Sequence, residues 1–297
     1  MQKRLHVNPL LRERRRTFTL LILPGALLYS VFYILPILMG FYFSLMDWNG
    51  ISKSYNFIGL DNFAATFSDK SFARAMGFTV RYTVLLVVCT VLLSVLLAVL
   101  LNQDIRARGF LRTMYFLPAV LSMITVSLVF NQILYRVVPP IGKALGIEAL
   151  SVNILSRKNT AIYGILFVHL WQGVALPTLM FLAALQTVPS DLLEAATLDG
   201  ANAWQRFVHV TLVYLLPTLS VVLVLTVKSG LMVFDYVKSM TDGGPGGATQ
   251  SLALMIYNNG FVRNKYSYSI AQAIEIGLII SVVSFIQIKL TGRKKVD

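Results

Sequence analysis

The sequence predicts an all-α fold, a polytopic membrane protein that crosses the bilayer in six helices. Composition is the first reason: 56% of the residues are hydrophobic, only 13% are charged, and mean hydropathy is +0.70. Soluble domains of this size do not reach such values. The second reason is six apolar stretches, at about 18–45, 75–101, 110–134, 161–187, 211–237 and 269–290. Each reaches or exceeds the roughly 20 residues that cross about 30 Å of hydrocarbon, and the longer ones allow tilt. The third is that none of them alternates apolar and polar residues. That argues against a barrel, the other way of satisfying backbone polar groups in lipid.

The chain opens with a basic tail, 1–17, that carries Lys3, Arg4, Arg12, Arg14, Arg15 and Arg16. A basic head before an apolar run also describes a secretion signal. This run is too long, and bulky Phe41-Tyr42-Phe43 stands where small cleavage-site residues are needed, so span one is expected to be a retained anchor. The loop after span two carries Arg106, Arg108 and Arg112. The C-terminal end carries Lys289 and, in a tail at 291–297, Arg293, Lys294 and Lys295. With Arg206, fourteen of the 26 basic residues fall on one side. The positive-inside rule therefore expects both termini and the 188–210 loop in the cytoplasm. Basic flanks facing anionic membrane lipid also account for the net charge of +13 without any nucleic acid. Cys89 is the only cysteine and lies mid-span, which leaves no basis for a disulfide or a thiolate metal site.

Three loops face the other side. The first, about 46–74, carries Asp47-Trp48-Asn49-Gly50 and Phe57-Ile58-Gly59-Leu60-Asp61-Asn62-Phe63. An interfacial aromatic belt accounts for its Trp and Phe residues but not for the ordered Gly-Leu-x-Asn-Phe string. The second, about 135–160, is polar and carries no motif. The third, about 238–268, opens with Thr241-Asp242-Gly243-Gly244-Pro245-Gly246-Gly247-Ala248-Thr249. A phosphate-cradling loop needs Lys and then Ser or Thr after its last Gly, with a strand before it and a helix after. Here Ala248 follows Gly247 and an apolar helix precedes the run, so it is a turn. With no nucleotide-binding motif elsewhere, the chain is not expected to be an enzyme.

The loop between spans four and five is the most informative segment. Pro189-Ser190 is a helix-start signal. The helical run Asp191-Leu192-Leu193-Glu194-Ala195-Ala196-Thr197-Leu198-Asp199 then breaks at Gly200, and a second short helical stretch is expected from about Asn202 to Val208. Small alanines let one helix face approach a partner closely, and Gly allows the bend between the two arms. Asp191 complements the dipole at the start of the helix. Glu194-Ala195-Ala196, followed by three residues and Gly200, resembles the EAA loop of ABC-importer permeases. One departure is visible: the family usually has Pro after the Leu that is Leu212 here, and this chain has Val213 and keeps only Pro217. Phe234-Asp235-Tyr236, Thr241, Gly243-Gly244-Pro245 and Thr249 resemble the stretch after span five in permeases of the maltose, glycerol-phosphate and multiple-sugar type. The string around Phe57–Phe63 resembles their first outward loop.

This resemblance implies a type I ABC-importer permease fold, with a six-helix permease domain at 18–290 and a coupling loop at 189–210. The implied protein is a multi-pass subunit of a prokaryotic inner or plasma membrane. It forms half a pore with a second, related permease and takes up a carbohydrate or polyol. A solute-binding protein delivers the solute from outside. ATP and Mg are bound by two cytoplasmic partner subunits and not by this chain. The resemblance also assigns Glu194, Ala195, Ala196, Asp199 and Gly200 to contact with the ATPase subunit.

A hydrophilic solute needs small or polar residues on a pore-facing stripe, because polar groups facing lipid are costly. Thr226, Ser229, Gly230 and Val233 recur at i, i+3, i+4 and i+7 of span five, and Trp171, Gln172 and Gly173 lie at similar depth in span four. These segments line the path in related sugar permeases; ordinary packing through small residues is the other reading. Four ionisable groups fall in or near hydrocarbon: Arg81, Lys228, Asp235 and Glu275. On a continuous span five, Lys228 and Asp235 share a face about 10 Å apart. An interhelical ion pair such as Lys228 with Glu275 is one reading of these charges. A proton or ion relay in a stand-alone secondary transporter or channel is the other, although no Gly/Pro-broken pair of half-helices is evident. His169 has no companion at ligand spacing, so a metal site is not expected. His209 is expected to be a solvated loop residue.

Overall fold

The computed structural model describes residues 9–103 and 108–291. Lys3, Arg4, Arg106, Arg293, Lys294 and Lys295 lie outside the described residues. The described chain is an all-α bundle with one small antiparallel hairpin, Met46–Asp47 against Asn56–Phe57. Five helices are long and apolar enough to cross a membrane: Thr17–Ser44, Lys70–Leu101, Met123–Ala144, Ala203–Leu231 and Tyr266–Lys289. A bent pair, Ala161–Gly173 with Ala175–Leu185, makes the sixth span. Alternation of the spans puts the 188–210 elbow at one end of the bundle and the hairpin at the other.

Three spans differ from their sequence-predicted form. Span three consists of two helices, Arg108–Val120 and Met123–Ala144, so its second half runs well into the expected polar loop. The join falls at Ser122, whose backbone is extended. Span four bends by 46° at Val174. Pro177 lacks the N–H that would bond the carbonyl of Gly173, and its ring crowds that same carbonyl. A Gly/Pro break is therefore present in this one span, contrary to the sequence expectation.

Span five ends at Leu231, not near 237, and Asp235 starts a separate short helix, Asp235–Met240. The apolar run continues past the helix end because Val233 and Val237 are buried in the core; burial, and not helix continuity, sets the hydropathy there. Toward the elbow, the second arm does not end at Val208. It continues through a wider π-type turn at Phe207–Thr211 into span five, giving one 29-residue helix.

The core has two main parts. Toward the hairpin end, Tyr82, Leu86, Val126, Ile165, Val168, Val237 and Leu254 join spans two, three and four to the segment after span five. Toward the elbow end, Ala98, Phe181, Leu182, Leu215 and Val222 join spans two, four and five. Spans two and five approach closely at Gly230, where a Cβ would fall 2.7 Å from Thr83 Oγ1 and 2.9 Å from Thr83 Cα. Glycine is required there by space.

Candidate translocation and docking site

The elbow is built by local signals. Helix Ser190–Leu198 buries none of its residues, and Leu198 is 89% exposed. Gly200 ends it at φ +82. The Ala201 N–H donates to Ala196 O at 2.9 Å and the Gly200 N–H to Thr197 O at 3.1 Å, which is the paired C-terminal capping motif that a left-handed residue permits. Two residues later Asn202 caps the second arm. Its side chain accepts from the Gln205 N–H at 2.9 Å while Gln205 Oε1 accepts from the Asn202 N–H at 2.8 Å. Arg206 adds a bond to Ala201 O at 2.9 Å, so the angle between the arms is held from both sides. Glu194, Ala195 and Asp199 are exposed and Ala196 is half-buried. Leu192, Leu198 and Trp204 add exposed apolar area to the same elbow.

The mid-bundle residues converge on His169. Its Nδ1 lies 2.9 Å from the Tyr82 hydroxyl and its Nε2 lies 3.2 Å from Ser229 Oγ. A neutral imidazole satisfies both, one nitrogen donating and the other accepting. Tyr236 stacks on the ring at 4.4 Å and donates its hydroxyl to Gln172 Oε1 at 2.8 Å. Gln172 Nε2 in turn donates to the carbonyl of Leu121 at 2.7 Å. That carbonyl lies at the join in span three, where the helical ladder is interrupted. One polar network therefore ties spans two, three, four and five to the segment beyond span five.

Two adjoining cavities share His169 and Ser229. Gly173 and Thr226 line one; Lys228, Val233 and Asp235 line the other. Gln172 lines neither. It is buried and committed to Leu121 and Tyr236. Trp171 packs at a tilt of 59° on Phe130 with ring centres 5.0 Å apart. Gly230 serves the contact with span two. Val233 is buried in the core beyond the end of the helix, so the four-residue stripe breaks after Gly230. Lys228 and Asp235 face a common cavity from two separate helices, not from one helical face.

The expected pair of Lys228 with Glu275 does not form. Among the described residues the ion pair within 4 Å is Lys238–Asp242, at 2.7 Å. Glu275 is buried on span six with neither carboxylate oxygen hydrogen-bonded, while Lys228 is exposed at its cavity. Tyr82 and His169 were the residues that sequence reasoning left without a role. Their signal was two polar aromatic side chains inside apolar spans, a placement that requires partners.

The two quoted loop motifs have structural work. Asn62 donates to the carbonyls of Ser44 and Met46 at 2.8 and 2.9 Å, which fastens the first loop to the end of span one. Thr241 and Thr249 meet hydroxyl to hydroxyl at 2.8 Å, and Thr249 donates to Gly244 O at 2.6 Å, closing the glycine-rich turn.

A bent, exposed elbow on a six-span bundle with a polar network inside it fits a transport permease, and the match with a known family shows which one. The model of the binding-protein-dependent transport system inner membrane component family matches residues 90–295, and the chain belongs to that family. It is 41% identical over 279 residues to the multiple sugar-binding transport system permease protein MsmF of Streptococcus mutans, covering 94% of this chain and 96% of that one. It is 34% identical to the trehalose/maltose transport system permease protein MalF of Thermococcus litoralis, over 94% of each chain. Among solved structures, a bacterial ABC transporter involved in import of the acidic polysaccharide alginate matches with a TM-score of 0.82. The match covers 97% of this chain and 100% of that one at 21% identity, a likeness of fold.

Proposed function

We propose that this chain is the carbohydrate-translocating permease subunit of an ATP-driven, binding-protein-dependent importer, taking a mono- or oligosaccharide or a polyol. The observation that carries the coupling half of this reading is the elbow. A helix that buries nothing of itself, with Leu192, Leu198 and Trp204 bare, needs a protein partner to cover it. The fixed angle at Gly200 and Asn202 makes it a lever and not a hinge. The second arm runs unbroken into span five, and the first joins span four through a short turn, so motion of the ATPase subunits reaches both cavity-lining spans. The elbow and both termini face the cytoplasm in this reading, and ATP and Mg stay with the partners.

Two further features support the assembly. The most apolar window of span one has none of its residues buried within the chain, which fits a span that lies against a second permease subunit. The cavities around His169 present Lys228 and Asp235 as hydrogen-bonding groups inside the bundle, beside the Ser229 hydroxyl that His169 shares, suited to a neutral polyhydroxylated solute. The sugar-permease relatives support the solute class. The test is reconstitution of the complex with its ATP-binding subunits and solute-binding protein. ATPase stimulation by the loaded binding protein across a sugar panel is the expected result. Isolation of a transport-competent chain with no ATPase attached would sink the reading and favour a secondary carrier.

A further inference from the structure

The hairpin end carries a cleft with one sign of charge. Arg74 and Arg81 of span two and Lys158 ahead of span four line it, with Gly246 and Gly247 of the glycine-rich turn on the far side. All three cations are exposed, and no Asp or Glu is among the lining residues. Arg74 donates to Lys70 O and Ser71 Oγ, each at 3.4 Å. Among the described residues none of the three cations has an ion-pair partner. Between the two arginines a Cβ on Gly77 would meet nothing within 4 Å, so the floor is open. The Lys158 stem lies against the turn, with its Cε 3.1 Å from where a Cβ of Gly246 would sit. The Thr241–Thr249–Gly244 bonds fix that turn as a rim.

Depth identifies what reaches this cleft. Span two has 32 residues, Lys70–Leu101, and is therefore about 48 Å long. Its uncharged run 82–101 has the length that crosses the hydrocarbon, which sets Arg81 at the outer boundary and Arg74 about 10 Å above it. The headgroup layer adds only about 5–7 Å on each side. The upper half of the cleft thus stands in water, within reach of a soluble protein. The positive-inside rule gives no reason for cations here.

We propose that this cleft receives carboxylates from an acidic surface of the extracytoplasmic solute-binding protein, which rests on the importer function above. The pairs are formed at a wetted rim, so they set encounter rate and orientation more than gross affinity. The experiment uses the whole complex in vesicles and measures the concentration of loaded binding protein that half-stimulates ATPase. Combining Arg74→Ala, Arg81→Ala and Lys158→Ala is expected to raise that concentration about tenfold and to flatten its dependence on salt. Lys53→Ala removes one outward charge that does not line the cleft and is expected to change neither. An unchanged half-stimulating concentration in the triple variant overturns the proposal. So does a shift seen only with anionic lipid in the vesicles, or only with an acidic solute. A wild-type complex that no binding protein stimulates overturns the importer reading itself, a result distinct from a deficit confined to the variant.

Discussion

The Tyr82 hydroxyl and His169 Nδ1 stand 2.9 Å apart, joining span two to span four inside the apolar part of the bundle. Both residues are buried, so removing one partner strands the other. A buried donor or acceptor without a partner costs about 1–3 kcal/mol. His169→Leu should therefore lower the thermal stability of the purified complex by about that amount. Tyr82→Phe in the His169→Leu background should cost little more, because the orphaned hydroxyl is gone. Additive losses in this double-mutant cycle would show that the contact is not energetically coupled.

Gln172 separates a packing role from a solute-binding role. It bonds the Leu121 carbonyl and the Tyr236 hydroxyl, and Gln172→Ala frees both. The expected result is a stability loss of about 1–3 kcal/mol, with uptake of every sugar reduced in parallel. A variant of normal stability with altered preference among sugars would return Gln172 to the solute path.

Gly230 is a steric requirement. Gly230→Ala places its Cβ under 3 Å from both the side chain and the Cα of Thr83. Overpacking of this kind costs about 1–3 kcal/mol. Thr83→Ala in the same chain should recover only part of the loss, since the backbone atom stays where it is. Full recovery, read from thermal unfolding in detergent, would show that the conflict involves the side chain alone.

At the elbow, Gly200→Val forces a β-branched residue into a left-handed conformation, at a cost of about 1–2 kcal/mol locally. Because the elbow buries none of its first helix, membrane insertion and bundle stability should be unchanged. ATPase stimulation by the loaded binding protein should fall steeply, as it should for Glu194→Ala. Full coupled activity in both variants would remove the lever from the mechanism.

The elbow was legible because its signals are local. Gly200 after a helical run and Asn202 three residues before Gln205 each act within one turn. The bend in span four has a local cause too, Gly173 followed at i+4 by Pro177, but hydropathy runs smoothly across it and hides it. The end of span five was not legible. Val233 and Val237 keep the run apolar after the helix has stopped, since the core continues around a non-helical segment. Nor could sequence reveal the partner of Gln172, a backbone carbonyl 51 residues away that is exposed only because span three is interrupted. The missing ion pair has the same origin: placing Lys228 against Glu275 requires the rotation of span six, which its weak amphipathicity does not announce.

Span one packs on span six through Leu35–Ser44, with Asn62 latching the loop just past its end, and the rest of its length is bare. If a second permease subunit covers this span, as proposed above, a newly inserted copy holds out a greasy, tethered arm until that subunit arrives. Unequal synthesis of the two would then leave the surplus copy open to stray association and to membrane proteases.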